Sequence, residues 1–141
     1  MKPRAWVVDA SFCGALLLPD EHSSSALALV SAARNGAIDL VTTSLWRHEI
    51  ANMLVSAVRS RRISRGQLPG AWVLLEALPI RIHRDEPTGA ETTHLAVEAA
   101  LTAYDAGYLG LALALKAGLA SEDKDLRKAA RHRHVPLWDE R

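Results

Sequence analysis

A second cysteine is missing. Cys13 stands alone in 141 residues, so no internal disulfide can form, which suits a reducing cytoplasm. It falls in an apolar stretch, which marks it as a buried thiol rather than a nucleophile. Long apolar runs are missing too. Nothing approaches the roughly 18 uncharged apolar residues of a membrane span, and runs such as Ala106 to Leu115 are too short. Lys2 and Arg4 ahead of apolar residues imitate a signal peptide, but Asp9 interrupts the run and no small-residue cleavage site follows, so none is expected. A charge excess is also absent. The formal net charge is +1, so any basic surface for a polyanion must be local. Repeats, low-complexity segments and linkers are lacking, so one domain over residues 1–141 is expected.

What is present alternates between two periods. Trp6-Val7-Val8 reads as a buried parallel strand that delivers Asp9, followed by Ala10-Ser11, to one edge of a sheet. Phe12 to Leu18 reads as a short helix closed by Pro19, and Ser23-Ser24-Ser25 cap another that ends near Asn35-Gly36. Ile38 to Thr42 is a second strand. Thr43 or Ser44 caps a long helix to about Arg59, and a helix from Ser64 carries Leu68, Trp72 and Leu75, with Pro69 awkwardly inside it. Ile80 to His83 is a third strand. Helices follow from Glu91 to about Thr102 and from Tyr104 to Lys116, with Gly118 as C-cap. Leu119-Ala120-Ser121 is a short strand, Asp123 to His132 a helix, and Val135-Pro136-Leu137 a last small strand. The alternation predicts an α/β fold of three layers, α/β/α, with a mostly parallel sheet of about four to five strands.

Four of the sixteen acids resist the ordinary explanation of a polar face. Asp9 and Asp123 each stand at a strand end, where open α/β sheets place their sites. Glu49 lies at the edge of an apolar helix face, with Trp46 and Met53 at i−3 and i+4. Asp105 opens a helix and shares its face with Leu101, Tyr108, Leu109 and Ala112. Taken singly, Asp105 and Asp123 could serve only their helix N-termini, and Glu49 could pair with Arg47 or Arg34. Together they form an acidic set with no cation on the same apolar faces. Clustered carboxylates repel by roughly 4 kcal/mol per close pair at an effective dielectric of about 20. A hard divalent cation with oxygen ligands, Mg²⁺ or Mn²⁺, removes that conflict and suits phosphodiester hydrolysis.

Val7-Val8-Asp9-Ala10-Ser11, Ser44 to Asn52 around Glu49, Thr102-Ala103-Tyr104-Asp105-Ala106-Gly107-Tyr108 and Leu119-Ala120-Ser121-Glu122-Asp123-Lys124-Asp125-Leu126 resemble, in order, the motifs of PIN-domain ribonucleases, and most of all the VapC toxins of toxin–antitoxin pairs. The resemblance covers the whole chain. It implies a PIN fold, a Mg²⁺- or Mn²⁺-dependent endoribonuclease acting on RNA (tRNA, rRNA or mRNA), a cognate VapB-like antitoxin, a homodimer, and a cytoplasmic location with no membrane. Asp9, Glu49, Asp105 and Asp123 match the family's acidic quartet. Ser121 stands where the family often has threonine, and Asp125 makes the fourth acid slightly ambiguous.

In this reading Asp9, Asp105 and Asp123 contact the cation, and Glu49 orients or deprotonates water. Ser11, Ser121 and Asn52 support the carboxylates as hydrogen-bonding partners. His48-Glu49 lacks the second histidine of a zinc protease, since position 52 is Asn52. His132 and His134 sit among Arg127, Lys128, Arg131 and Arg133 and read as basic surface, while His22, His83 and His94 read as solvated. The runs Arg59 to Arg65 and Arg127 to Arg133 are candidates for RNA-backbone contact, or simply solvated helix ends. Trp6 and Trp46 are expected in the core; Trp72 either packs there or lines a dimer or antitoxin groove. The competing class is a catalytically inert PIN-like module that works through a protein partner or repressor complex. A phosphatase of another α/β fold is weaker, because Ser11 stands where an aspartyl nucleophile motif would have its second Asp.

Overall fold

A computed structural model of the chain describes residues 2–18, 20–21 and 23–139, so Pro19 and His22 lie outside it. Four strands form one parallel sheet in the order β3-β2-β1-β4: β1 Ala5–Val8, β2 Asp39–Thr42, β3 Ile80–Ile82 and β4 Gly118–Ala120. The central pair of strands, β1 and β2, is buried and β-branched, as a parallel sheet covered on both faces requires. Seven α-helices are present among the described residues: α1 Ala10–Leu17, α2 Ser24–Arg34, α3 Trp46–Arg59, α4 Leu68–Ala77, α5 Gly89–Ala99, α6 Ala103–Leu115 and α7 Lys124–His132.

The connections from β1 to β2 to β3 step one way across the sheet, and the connection from β3 to β4 returns past both. Right-handed crossovers therefore put α1 to α4 on one face and α5 and α6 on the other. The packing agrees: α1 lies against α2 and α3, whereas α6 lies across β1 and against α5 and α7. This is the expected three-layer α/β/α fold. Its core includes Val7, Val8, Leu29, Ile50, Leu54, Leu109, Leu111, Leu119 and Leu126, each nearly or wholly buried, and Trp6 and Trp46 belong to it. Cys13 is buried and free, and burial pushes its thiol up, which keeps it protonated and inert.

Local details differ from the sequence expectation, each for a physical reason. Ser44 does not cap α3; its N–H and hydroxyl both donate to the Glu86 carboxylate at 2.8 Å, and Leu45 occupies the cap position with no side-chain bond. Pro69 falls in the first turn of α4, where a missing N–H costs nothing, after a 3₁₀ turn at Arg65–Gln67 with a Ser64–Gln67 capping box. The C-cap of α6 is Lys116 in the left-handed region at φ 52°, not Gly118. Gly118 opens β4 because a Cβ there would sit 2.4 Å from two ring carbons of Trp6. Val135 to Leu137 contributes only a single parallel bridge, Leu119 to Leu137, rather than a strand.

Gly118→Ala should therefore destabilise the protein by about 1–3 kcal/mol in chemical denaturation, since neither the strand backbone nor the buried indole can give way. A loss below about 0.5 kcal/mol would show that Trp6 is not held against this strand.

Candidate active site

Strand order reverses between β1 and β4, and a parallel sheet offers a crevice beyond the carboxyl ends of its strands at that point. Asp9 is the first residue after β1, its side chain is buried, and its N–H donates to the Ala120 carbonyl at 3.3 Å. Both oxygens of the carboxylate accept hydrogen bonds. Phe12 N–H reaches Oδ1 at 2.9 Å, so Asp9 is the N-cap of α1. The Ser11 hydroxyl straddles Oδ1 and Oδ2 at 2.8 and 2.9 Å, and the Ser121 hydroxyl donates to Oδ2 at 2.5 Å. The same serines accept from the loop after β4: Glu122 N–H reaches Ser11 Oγ at 2.9 Å and Asp123 N–H reaches Ser121 Oγ at 3.0 Å. Both serines thus hydrogen-bond the Asp9 carboxylate directly.

Asp123 caps α7, its Oδ1 accepting the Leu126 N–H at 2.8 Å. Asp105 is half-buried in the first turn of α6, whose cap Thr102 accepts the Asp105 N–H at 3.1 Å. Glu49 is in the first turn of α3 and accepts the Tyr108 hydroxyl at 2.6 Å. The four acids therefore belong to the amino ends of α1, α3, α6 and α7. Helix N-termini carry partial positive charge, which is how the fold tolerates them.

Tolerance is incomplete. Burial pushes Asp9 up from the ordinary 3.8 to about 6, against hydrogen bonds from Ser121, Phe12 and Ser11, and the charge of Asp105 adds to the rise. Asp105 is pushed to about 6 as well, first by burial and then by the charges of Asp123, Glu49 and Asp125. Asp105 is thus the point at which the set converges. Among the described residues none of the four acids is in an ion pair. Arg47, a possible partner for Glu49, instead pairs with Glu76 at 3.5 Å. Arg127 bonds the Ser121 backbone carbonyl at 3.0 Å.

The donors are all oxygens, the class that hard divalent cations take. Among the described residues no three His, Cys, Asp or Glu side chains stand ready-grouped to hold a metal. Both Asp9 oxygens are already bonded to hydroxyl and amide donors. The all-oxygen donor set suits a hard divalent cation that keeps several of its waters, and does not fit a closed zinc-type cage.

Asn52 does not join the cluster: on α3 it faces solvent, and among the described residues it has no hydrogen bond to Glu49. Asp125 is exposed and acts on Asp105 only through its charge. His132 and His134 are exposed among basic residues. In the basic run after α3, Arg62 is taken by Asp20 at 2.7 Å and by Glu21, which removes it as a phosphate contact. Tyr108 stands in the motif around Asp105, but nothing in the sequence assigns it a role of its own. It reads as an apolar helix position, and its only signal is that a buried tyrosine hydroxyl needs a partner.

These features define the class. The sequence pattern of the PIN domain family matches residues 6–132, and the chain belongs to that family. Within it the kinship is with VapC proteins: the chain is 32% identical over 124 residues to Ribonuclease VapC3 of Pyrobaculum aerophilum, covering 85% of this chain and 90% of that one. The crystal structure of PAE2754 from Pyrobaculum aerophilum superposes with a TM-score of 0.69 over 96% of this chain and 84% of that chain; at 21% identity this speaks for the fold.

An acid whose value is raised on folding binds its proton more tightly in the native state, so stability is full below about 3.8 and declines as pH rises through about 6. In chelator-treated protein, Asp105→Asn should raise stability at pH 7.5 by about 1 kcal/mol, allowing for solvent screening, and have no effect near pH 4. Equal effects at both values, measured by urea unfolding, would contradict the repulsion.

Proposed function

We propose that this protein is a ribonuclease of VapC type: a Mg²⁺- or Mn²⁺-dependent endoribonuclease that hydrolyses RNA phosphodiester bonds and is neutralised by a VapB-like antitoxin in the cytoplasm. The observation that carries the reading is the unpaired, partly buried acidic set at the sheet's switch point in a chain of this family. The name of its relative, Ribonuclease VapC3, supports the substrate class and the antitoxin. An inert binding module gains nothing from acids that repel one another.

Asp9, Asp105 and Asp123 would hold the cation, directly or through water. When bound, Mg²⁺ or Mn²⁺ supplies a Lewis acid for the phosphate and acidifies water. Glu49 orients the attacking water and takes its proton. Ser11 and Ser121 fix the Asp9 carboxylate, so that little reorganisation accompanies binding. A homodimer and an antitoxin both need apolar surface to dock on. Val73 and Leu74 of α4 are 70% and 61% exposed and provide some.

Purified protein should cut RNA only with Mg²⁺ or Mn²⁺ present, and either ion should raise its melting temperature. Asp9→Asn should lower cleavage by more than about 100-fold and remove the metal-induced rise. Ser121→Ala should lower it about 10- to 100-fold, with Ser121→Thr restoring it. Full cleavage in EDTA would contradict the metal's role, and wild-type cleavage by Asp9→Asn would contradict the site.

A further inference from the structure

The uncharged side chain most deeply involved with the acids is Tyr108. It is 1% exposed, and it lies one helical turn after Asp105 on α6. Its hydroxyl donates to Glu49 Oε1 at 2.6 Å. Thr43, buried just after β2, lies beside the same phenol.

This bond joins two layers. Glu49 is carried by α3 on one face of the sheet, and Tyr108 by α6 on the other. A glutamate in the first turn of a helix, partly open to solvent, ordinarily samples several rotamers, and ordering it has an entropic cost. A rigid phenol with two torsions, packed in the core, removes most of that freedom. It also engages one carboxylate oxygen, Oε1, and so fixes the attachment point of the carboxylate plane. Asp105 and Tyr108 share one turn, so the helix that brings an acid to the cation also sets the direction of the water-activating group.

We propose that Tyr108 is a positioning residue for hydrolysis: through its hydrogen bond it aims the Glu49 carboxylate at the attacking water. The proposal rests on the ribonuclease reading above, and it adds a residue that neither contacts the substrate nor binds the cation. The bond is charge-assisted, a type whose loss matters more than that of a neutral pair.

The test is a double-mutant cycle on RNA cleavage by the full chain with Mn²⁺, using Tyr108→Phe, Glu49→Gln and the pair. Tyr108→Phe should lower kcat about tenfold, with KM changed less than twofold. Added to Glu49→Gln it should do nothing further. A Tyr108→Phe enzyme with wild-type kcat, or effects that multiply in the double variant, would overturn the positioning role while leaving the ribonuclease reading intact. Glu49→Gln at the wild-type rate would overturn the role given to Glu49, and this one with it. A second measurement does not depend on Tyr108→Phe folding. The chain has two tyrosines, so Tyr104→Phe leaves Tyr108 alone in the resonance Raman spectrum. Its Fermi doublet should show a strong hydrogen-bond donor and shift toward a weaker one when Glu49→Gln is added; an unchanged doublet would overturn the proposal.

Discussion

Like charges gathered without a counter-ion are the constraint on which this structure turns. Asp9 and Asp105 are both held well above the ordinary carboxylate value by burial and by their neighbours, and none of the four acids pairs with an arginine or lysine among the described residues. The fold makes the arrangement possible through its topology. Strand order reverses beside β1, the sheet is parallel throughout, and helix amino ends therefore collect at one edge. Helix dipoles and two serine hydroxyls offset part of the repulsion, and the remainder is what a hard cation would remove.

Local interactions tie this edge together more tightly than packing alone would. Ser11, in the first turn of α1, and Ser121, just after β4, both grip Asp9 while accepting backbone N–H groups from residues 122 and 123. Thr42, buried at the end of β2, donates to the Val8 carbonyl at 2.7 Å and closes the third side. Each acid has a structural duty as well as the proposed chemical one: Asp9 and Asp123 cap helices, and Glu49 receives a phenol. Capping does not preclude a second duty at Asp123, because Oδ1 alone accepts the Leu126 N–H.

Much of this was legible in the sequence because the signals are strong and local. Val7-Val8 running into Asp9, the helical spacing through α3 and the acid after Leu119-Ala120-Ser121 located the strands, the helices and all four acids. The failures came where a distant partner decides. Ser44 looked like a cap until Glu86, forty-two positions away, took its donors. Gly118 looked like a helix terminator, but Trp6 across the sheet excludes a side chain there. Arg62 looked available to RNA until Asp20 and Glu21 closed on it. Tyr108 looked apolar because nothing along α6 announces the glutamate on another helix.

The most direct test is a crystal of the protein soaked in Mn²⁺ and measured near the manganese absorption edge. The account predicts an anomalous peak between Asp9, Asp105 and Asp123. No peak at this edge of the sheet in well-occupied crystals, or a peak only at other acids such as Asp20 and Glu21, would contradict it.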